Sequence, residues 1–119
     1  MSDLAGLRVF VLEDEPIVAM MVEDMLFELQ CDVIGPASSL SDAHAAIASE
    51  AFDVALLDVN INGDRSDPIA EALRDRGTPY VFATGYGASG VQPDGDAMIL
   101  QKPFTLAQLR EALGKAAAR

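Results

Sequence analysis

Short apolar runs and stretches of helical periodicity alternate from one end of this chain to the other, and that alternation admits few folds. Arg8 to Leu12 reads as a first strand. Pro16 suits the first turn of a helix, where its fixed φ and missing N–H do no harm. That helix runs to about Leu29. Its core face is Val18, Met21, Val22, Met25, Leu26 and Leu29, at helical spacing. Val33 to Pro36 is a short second strand, and Ser39 with Asp42 forms a capping box for a helix to about Glu50. Val54 to Leu57 is a buried strand that ends at Asp58. Asp67-Pro68 reads as an N-cap with proline at the first helical position, opening a helix to Arg76. Tyr80 to Thr84 and Met98 to Gln101 are the fourth and fifth strands. Thr105 with Gln108 makes a second capping box, and the last helix turns Leu106, Leu109 and Leu113 inward. Such a succession predicts an α/β fold: a doubly wound three-layer sandwich on a parallel sheet of five strands, with right-handed crossovers.

One stretch departs from the alternation. Gly85 to Asp96 holds four glycines and Pro93 where a fourth helix belongs. Helix propensity is poor there, and the expectation is a loop or a short, mobile helix.

In sheets of this kind ligands sit beyond the carboxyl ends of the strands. The residues just after each strand are therefore the informative ones. Glu13, Asp14 and Glu15 follow the first strand, and Asp58 and Asn60 follow the third. Thr84 and Gly85 close the fourth, and Lys102-Pro103 follows the fifth. Each alone has an ordinary reading as a solvated loop acid, a turn or a strand exit. Together they bring acids, a hydroxyl and a lysine to one edge. Crowded carboxylates repel unless a cation joins them, and hard oxygen ligands at this density suit Mg2+. A carboxylate beside such a cation can attack a phosphoryl group and form an acyl phosphate. Lys102 and the Thr84 hydroxyl would offset charge on the transferring oxygens, and Gly85 would leave room for the group.

The chain at this point resembles the receiver domains of two-component response regulators. The matching stretches are Val9-Phe10-Val11-Leu12-Glu13-Asp14-Glu15, Val54-Ala55-Leu56-Leu57-Asp58-Val59-Asn60, Phe82-Ala83-Thr84-Gly85 and Leu100-Gln101-Lys102-Pro103-Phe104. The resemblance implies a flavodoxin-like sheet of order 2-1-3-4-5, with Asp58 as the phosphoacceptor. It implies Asp14 and Asp58 as direct Mg2+ ligands, the Asn60 main-chain carbonyl as a third, and Glu13 acting through a water. Thr84 and Lys102 would contact the phosphoryl oxygens, and the Lys102-Pro103 bond would be cis. The phosphodonor would be a histidine on a partner sensor kinase rather than His44, which lies mid-helix facing solvent. The resemblance makes the chain a cytoplasmic switch rather than an enzyme with turnover. It covers residues 1–119 as one receiver domain, with no output domain. Output would pass through contact with another protein or by draining phosphate from a shared kinase.

Two features depart from the common family pattern. The place three residues before the lysine, where the family often carries Tyr or Phe, holds Ile99, and Lys102 follows Thr84 by only 18 positions. With Phe82-Ala83-Thr84-Gly85-Tyr86, these features resemble the FATGUY-type receivers, a subgroup paired with kinases of the HWE or HisKA-2 type. Without an aromatic at residue 99, the segment Gly85 to Asp96, with Tyr86, is the expected reporter of phosphorylation.

Other functions fit less well. A phosphatase of the haloacid dehalogenase kind also uses a nucleophilic Asp and magnesium, but places Asp-x-Asp after its first strand. Here the candidate nucleophile follows the third, and Asn60 stands two residues on. A degenerate receiver that only binds partners is opposed by the intact Asp14, Asp58, Thr84 and Lys102. The formal net charge of −11 argues against nucleic acid as a partner, since phosphate contacts need a basic face. Cys31 is the lone cysteine and His44 the lone histidine, so neither a disulfide framework nor a multi-histidine metal site is expected. Met1-Ser2-Asp3 does not begin a signal peptide, and no run reaches the length of a membrane span. A second apolar stripe on the first helix, Ile17, Met20 and Phe27, broken by Asp24, is a candidate surface for a protein partner.

Overall fold

The computed structural model describes residues 4–85 and 98–118. Its centre is a five-stranded sheet of order β2-β1-β3-β6-β7, formed by Asp32–Ala37, Arg8–Leu12, Val54–Asp58, Tyr80–Thr84 and Met98–Gln101. All its pairings are parallel. The helices are α1 (Pro16–Glu28), α2 (Leu40–Ser49), α3 (Asp67–Arg76) and α4 (Leu106–Ala117). The expected order 2-1-3-4-5 is thus observed, the sheet's last two strands being β6 and β7. The place of the expected fourth helix, with Tyr86, falls in 86–97, outside the described residues.

Side chains alternate across each strand, so each apolar strand feeds two cores. Val9 and Val11 of β1 pack with Val22 and Leu26 of α1 and Leu109 and Leu113 of α4. Phe10 and Leu12 point the other way, to Ala43 of α2 and Ile69 and Leu73 of α3. Continuous apolar runs, rather than half-polar ones, are what a sheet covered on both faces demands.

Local signals place the helices to within a residue or two. The Thr105 side chain accepts from Gln108 N–H while Gln108 returns the bond to the Thr105 N–H, closing the expected capping box. Thr105→Ala should lower stability by about 1 kcal/mol, read from urea denaturation. At α2, Ser39 Oγ accepts from Asp42 N–H. Asp42 is a methylene shorter than the Glu or Gln of a complete box.

Two expectations need correction, and one element is added. The N-cap of α3 is Ser66, not Asp67, and proline falls one position later. The Ser66 carbonyl accepts from Ile69 and Ala70 N–H, while the Asp67 carboxylate is drawn to Arg65 at 3.2 Å. Met21 is 54% exposed rather than core. It borders a groove beside Phe104 that nothing among the described residues fills, and Ala19 is buried in its stead. The added element is an antiparallel hairpin, β4 (Asn60–Ile61) with β5 (Asp64–Arg65), between β3 and α3. Asn62 and Gly63 turn it with φ of 53° and 89°, as a two-residue type I′ turn requires.

Candidate functional site

Parallel pairing aligns the strand ends and so builds the site. Leu12 is in register with Leu57, which sets Glu13 beside Asp58 one residue further on. Asp58 is in turn in register with Ala83, next to Thr84. Lys102 N–H donates to the Thr84 carbonyl at 2.8 Å, tying the exit of β7 to the end of β6. Residues far apart in sequence thereby meet at one sheet edge.

Lys102 is the hub. Its ammonium donates to Glu13 Oε1 at 2.8 Å and lies 3.4 Å from Asp58 Oδ2. Glu13 is only 5% exposed, and its other oxygen accepts from Glu15 N–H at 3.1 Å. Asp58 Oδ1 accepts from Asn60 N–H at 3.4 Å. Thr84 is buried beside them. The Lys102–Pro103 peptide bond is cis, as expected. A Cβ added at Gly85 would meet nothing within 4 Å among the described residues, so packing alone does not call for glycine there.

Glu13, Asp14 and Asp58 each bring a carboxylate oxygen within 4.8 Å of the others. Against these three acids stands the Lys102 ammonium, which reaches two of them. Burial pushes the Asp58 carboxyl up to about 6, and Glu13 adds to the rise although the charge of Lys102 opposes it. Burial works against the charge on Lys102, yet its bond to Glu13 and the charge of Asp58 raise its pKa. The acids thus carry more negative charge than the lysine neutralises. An oxygen-only donor set with such a surplus fits Mg2+.

Two contributors escaped the sequence reading. Ser66, fully buried, donates from Oγ to the Asp58 carbonyl at 2.6 Å and lies 3.2 Å from the Val59 carbonyl. Asn62 N–H donates to Asp14 Oδ2 at 2.8 Å. The Asn62-Gly63 pair is itself a hairpin signature, so that signal was present. The bond from Ser66 to a carbonyl eight residues back had no sequence cue. His44 is exposed mid-helix, as expected, and Cys31 is buried. Ile99, at the place of the missing aromatic, is half-buried against the α2–α3 core. Among the described residues no helix is long and apolar enough to cross a membrane.

Beside the site, an apolar groove of about 280 Å³ runs between α1 and Lys102-Pro103-Phe104. Ile17, Met20 and Phe27 of α1 are 74%, 63% and 81% exposed.

Comparison with known proteins agrees with this geometry. A family model described as the response regulator receiver domain matches residues 9–114. The Phyllosphere-induced regulator PhyR of Methylorubrum extorquens is 30% identical over 122 residues, covering 97% of this chain and 45% of PhyR. The chain spans less than half the length of the curated relatives it matches, 44% and 45%. The solution structure of SdrG from Sphingomonas melonis Fr1 matches with a TM-score of 0.83 at 39% identity, covering 100% of both chains. The BeF3-activated conformation of SdrG from Pseudomonas melonis Fr1 matches with a TM-score of 0.80 at 39% identity, covering 92% of this chain and 95% of that one.

Proposed function

This chain belongs to the response regulator receiver domain family, and from that premise we propose that it accepts a phosphoryl group on Asp58 from a partner histidine kinase. The observation that carries the proposal is the placement of Asp58. It ends a buried strand, 3.4 Å from a lysine ammonium and inside a cluster of three carboxylates. A neighbour of 39% identity is recorded in a BeF3-activated conformation, which supports the same reading.

The residues divide the work as follows. Asp14 and Asp58 would hold Mg2+ directly, the Asn60 main-chain carbonyl would be a third ligand, and Glu13 would act through a water. Bound there, the cation supplies charge stabilisation to the transferring phosphoryl oxygens. A carboxylate oxygen of Asp58 attacks phosphorus while the bond from phosphorus to the donor's imidazole nitrogen breaks. Lys102 lets go of one acid to meet a phosphoryl oxygen, and the Thr84 hydroxyl meets another. Ser66 keeps the Asp58 main chain still during this exchange. The raised Asp58 pKa and the nearby Lys102 support a buried carboxylate that a bound cation would hold in its ionised form.

The kinase is proposed to be of the HWE or HisKA-2 type, on the strength of Phe82-Ala83-Thr84-Gly85-Tyr86. We place the exchange in the cytoplasm, with output through protein contact or by draining phosphate from a shared kinase. The test is incubation with acetyl phosphate and Mg2+, followed by intact mass. One labile phosphoryl group per chain supports the switch, whereas turnover of an added phosphate ester supports a phosphatase.

The exposed apolar residues of α1 fit the kinase's docking surface. The helix and its N-cap carry Glu15, Glu23, Asp24 and Glu28 and no Lys or Arg. Such a face suits an apolar partner helix with a basic rim. Met20→Glu and Phe27→Glu should slow transfer from the kinase about tenfold, the loss of roughly 1.4 kcal/mol of docking energy, and leave acetyl phosphate labelling unchanged. Normal kinase transfer in both variants would remove α1 from the interface.

A further inference from the structure

Asn62 has no part in the chemistry just described, yet it joins three of the loops that surround the site. Its main-chain N–H donates to Asp14 Oδ2 at 2.8 Å, across 48 positions of sequence. Its side-chain Nδ2 donates to the Ser38 carbonyl at 3.2 Å, on the loop between β2 and α2. The residue itself turns the β4–β5 hairpin that follows Asp58. We propose that Asn62 is a positioning residue for Asp14, fixing that carboxylate for a divalent cation; this rests on the receiver reading of the site.

Asp14 lies on the loop after β1, where its side chain has rotamers to choose from. An N–H held on one oxygen fixes the plane of the carboxylate and leaves the other oxygen for a cation. The ligand is then ordered before the cation arrives, and the entropy of ordering it is not charged to binding. Partners of metal ligands commonly act in this way. The N–H can do so only while the hairpin tip stays in place.

The identity of the residue follows from two demands. The tip needs a positive φ, here 53°, which Gly and Asn adopt most readily. It also needs a side-chain donor to hold the Ser38 carbonyl, which Gly lacks. Asn meets both, and Gly63 completes the turn with φ of 89°. The small hairpin is thus a brace between the loop that carries Asp14 and the strand that ends in Asp58.

Calorimetric titration of Mg2+ into the full chain tests the proposal, with the residue-62 amide resonance followed by NMR. Asn62→Gly keeps the turn and deletes the bond to Ser38. Asn62→Ala deletes that bond and also disfavours the turn. The dissociation constant should rise about tenfold in the second, the lower end of what lost outer partners cost a metal site, and by less in the first, which keeps the turn. The residue-62 amide should move upfield in Asn62→Ala as its bond to Asp14 is lost. Lower stability in urea with unchanged Mg2+ affinity in both variants would mean a turn residue only and overturn the proposal. Should Asn62→Ala fail to fold, Asn62→Gly alone decides on the same criterion. Absence of Mg2+ binding in the wild type would overturn the receiver reading and this inference together. Equal binding by all three chains overturns this inference alone.

Discussion

Asp58→Asn should remove labelling by acetyl phosphate completely, while the folded chain survives. The exchange swaps a carboxylate oxygen for an amide nitrogen of nearly the same size and leaves the strand in place. It takes away the proposed nucleophile and one acid of the cluster at once. No neighbour stands ready to take over. Glu13 is held by both Lys102 and the Glu15 N–H, and Asp14 Oδ2 is held by Asn62. The measurement is intact mass after a fixed time with the donor and Mg2+, wild type beside variant. Full labelling of the variant would show that another group takes the phosphoryl.

The second expectation is that the same variant changes how stability depends on pH. The Asp58 carboxyl titrates at about 6 in the folded chain against an ordinary value of 3.8, mainly because it is buried. The folded state therefore binds the proton more tightly than the unfolded one. Its contribution is fully present below about pH 4 and is lost as pH rises through 6. At neutral pH the metal-free wild type carries a penalty of about 2 kcal/mol, after allowance for the exposed part of the group. Asn has no such titration. Without metal, Asp58→Asn should equal the wild type near pH 4 and exceed it by about that amount at pH 7.5. Added Mg2+ should raise the wild type by mass action and shrink the difference. Urea denaturation at four pH values, with and without Mg2+, provides the comparison. Parallel stability curves at every pH would show that Asp58 is not strained by its surroundings. Taking the difference between the two chains removes groups such as Asp53, whose pKa a bond from Arg8 lowers.

Most of this architecture was legible because its causes are local. Strands buried on both faces must be apolar throughout, so Arg8–Leu12 and Val54–Asp58 stand out as runs. Thr105 and Pro16 mark helix starts by chemistry that acts within a few residues. The site followed from one rule, that the residues beyond the strand ends converge. What escaped the reading depends in part on partners distant in sequence, and in part on local competition and short elements. Met21 has helical spacing for the core, but whether anything covers it depends on where Phe104 comes to lie. Ser66 displaced Asp67 as the cap of α3 because Arg65 competes for the Asp67 carboxylate. The Asn60–Arg65 hairpin is too short to show a period, although its turn residues were in view.

The position of β7 bears on how the site is lost. It stands at the end of the sheet, joined among the described residues only to β6, and it leads into Lys102, whose bond to Glu13 spans 89 positions. Edge strands open at lower free energy than central ones, without global unfolding. If β7 detached, the acids beyond β1 and at the end of β3 would keep their places and the lysine would depart. Such a partly opened chain would hold a cation yet transfer phosphate poorly, so metal binding and phosphoacceptor competence report different fractions of the population. A mild denaturant should therefore extinguish labelling before it releases Mg2+.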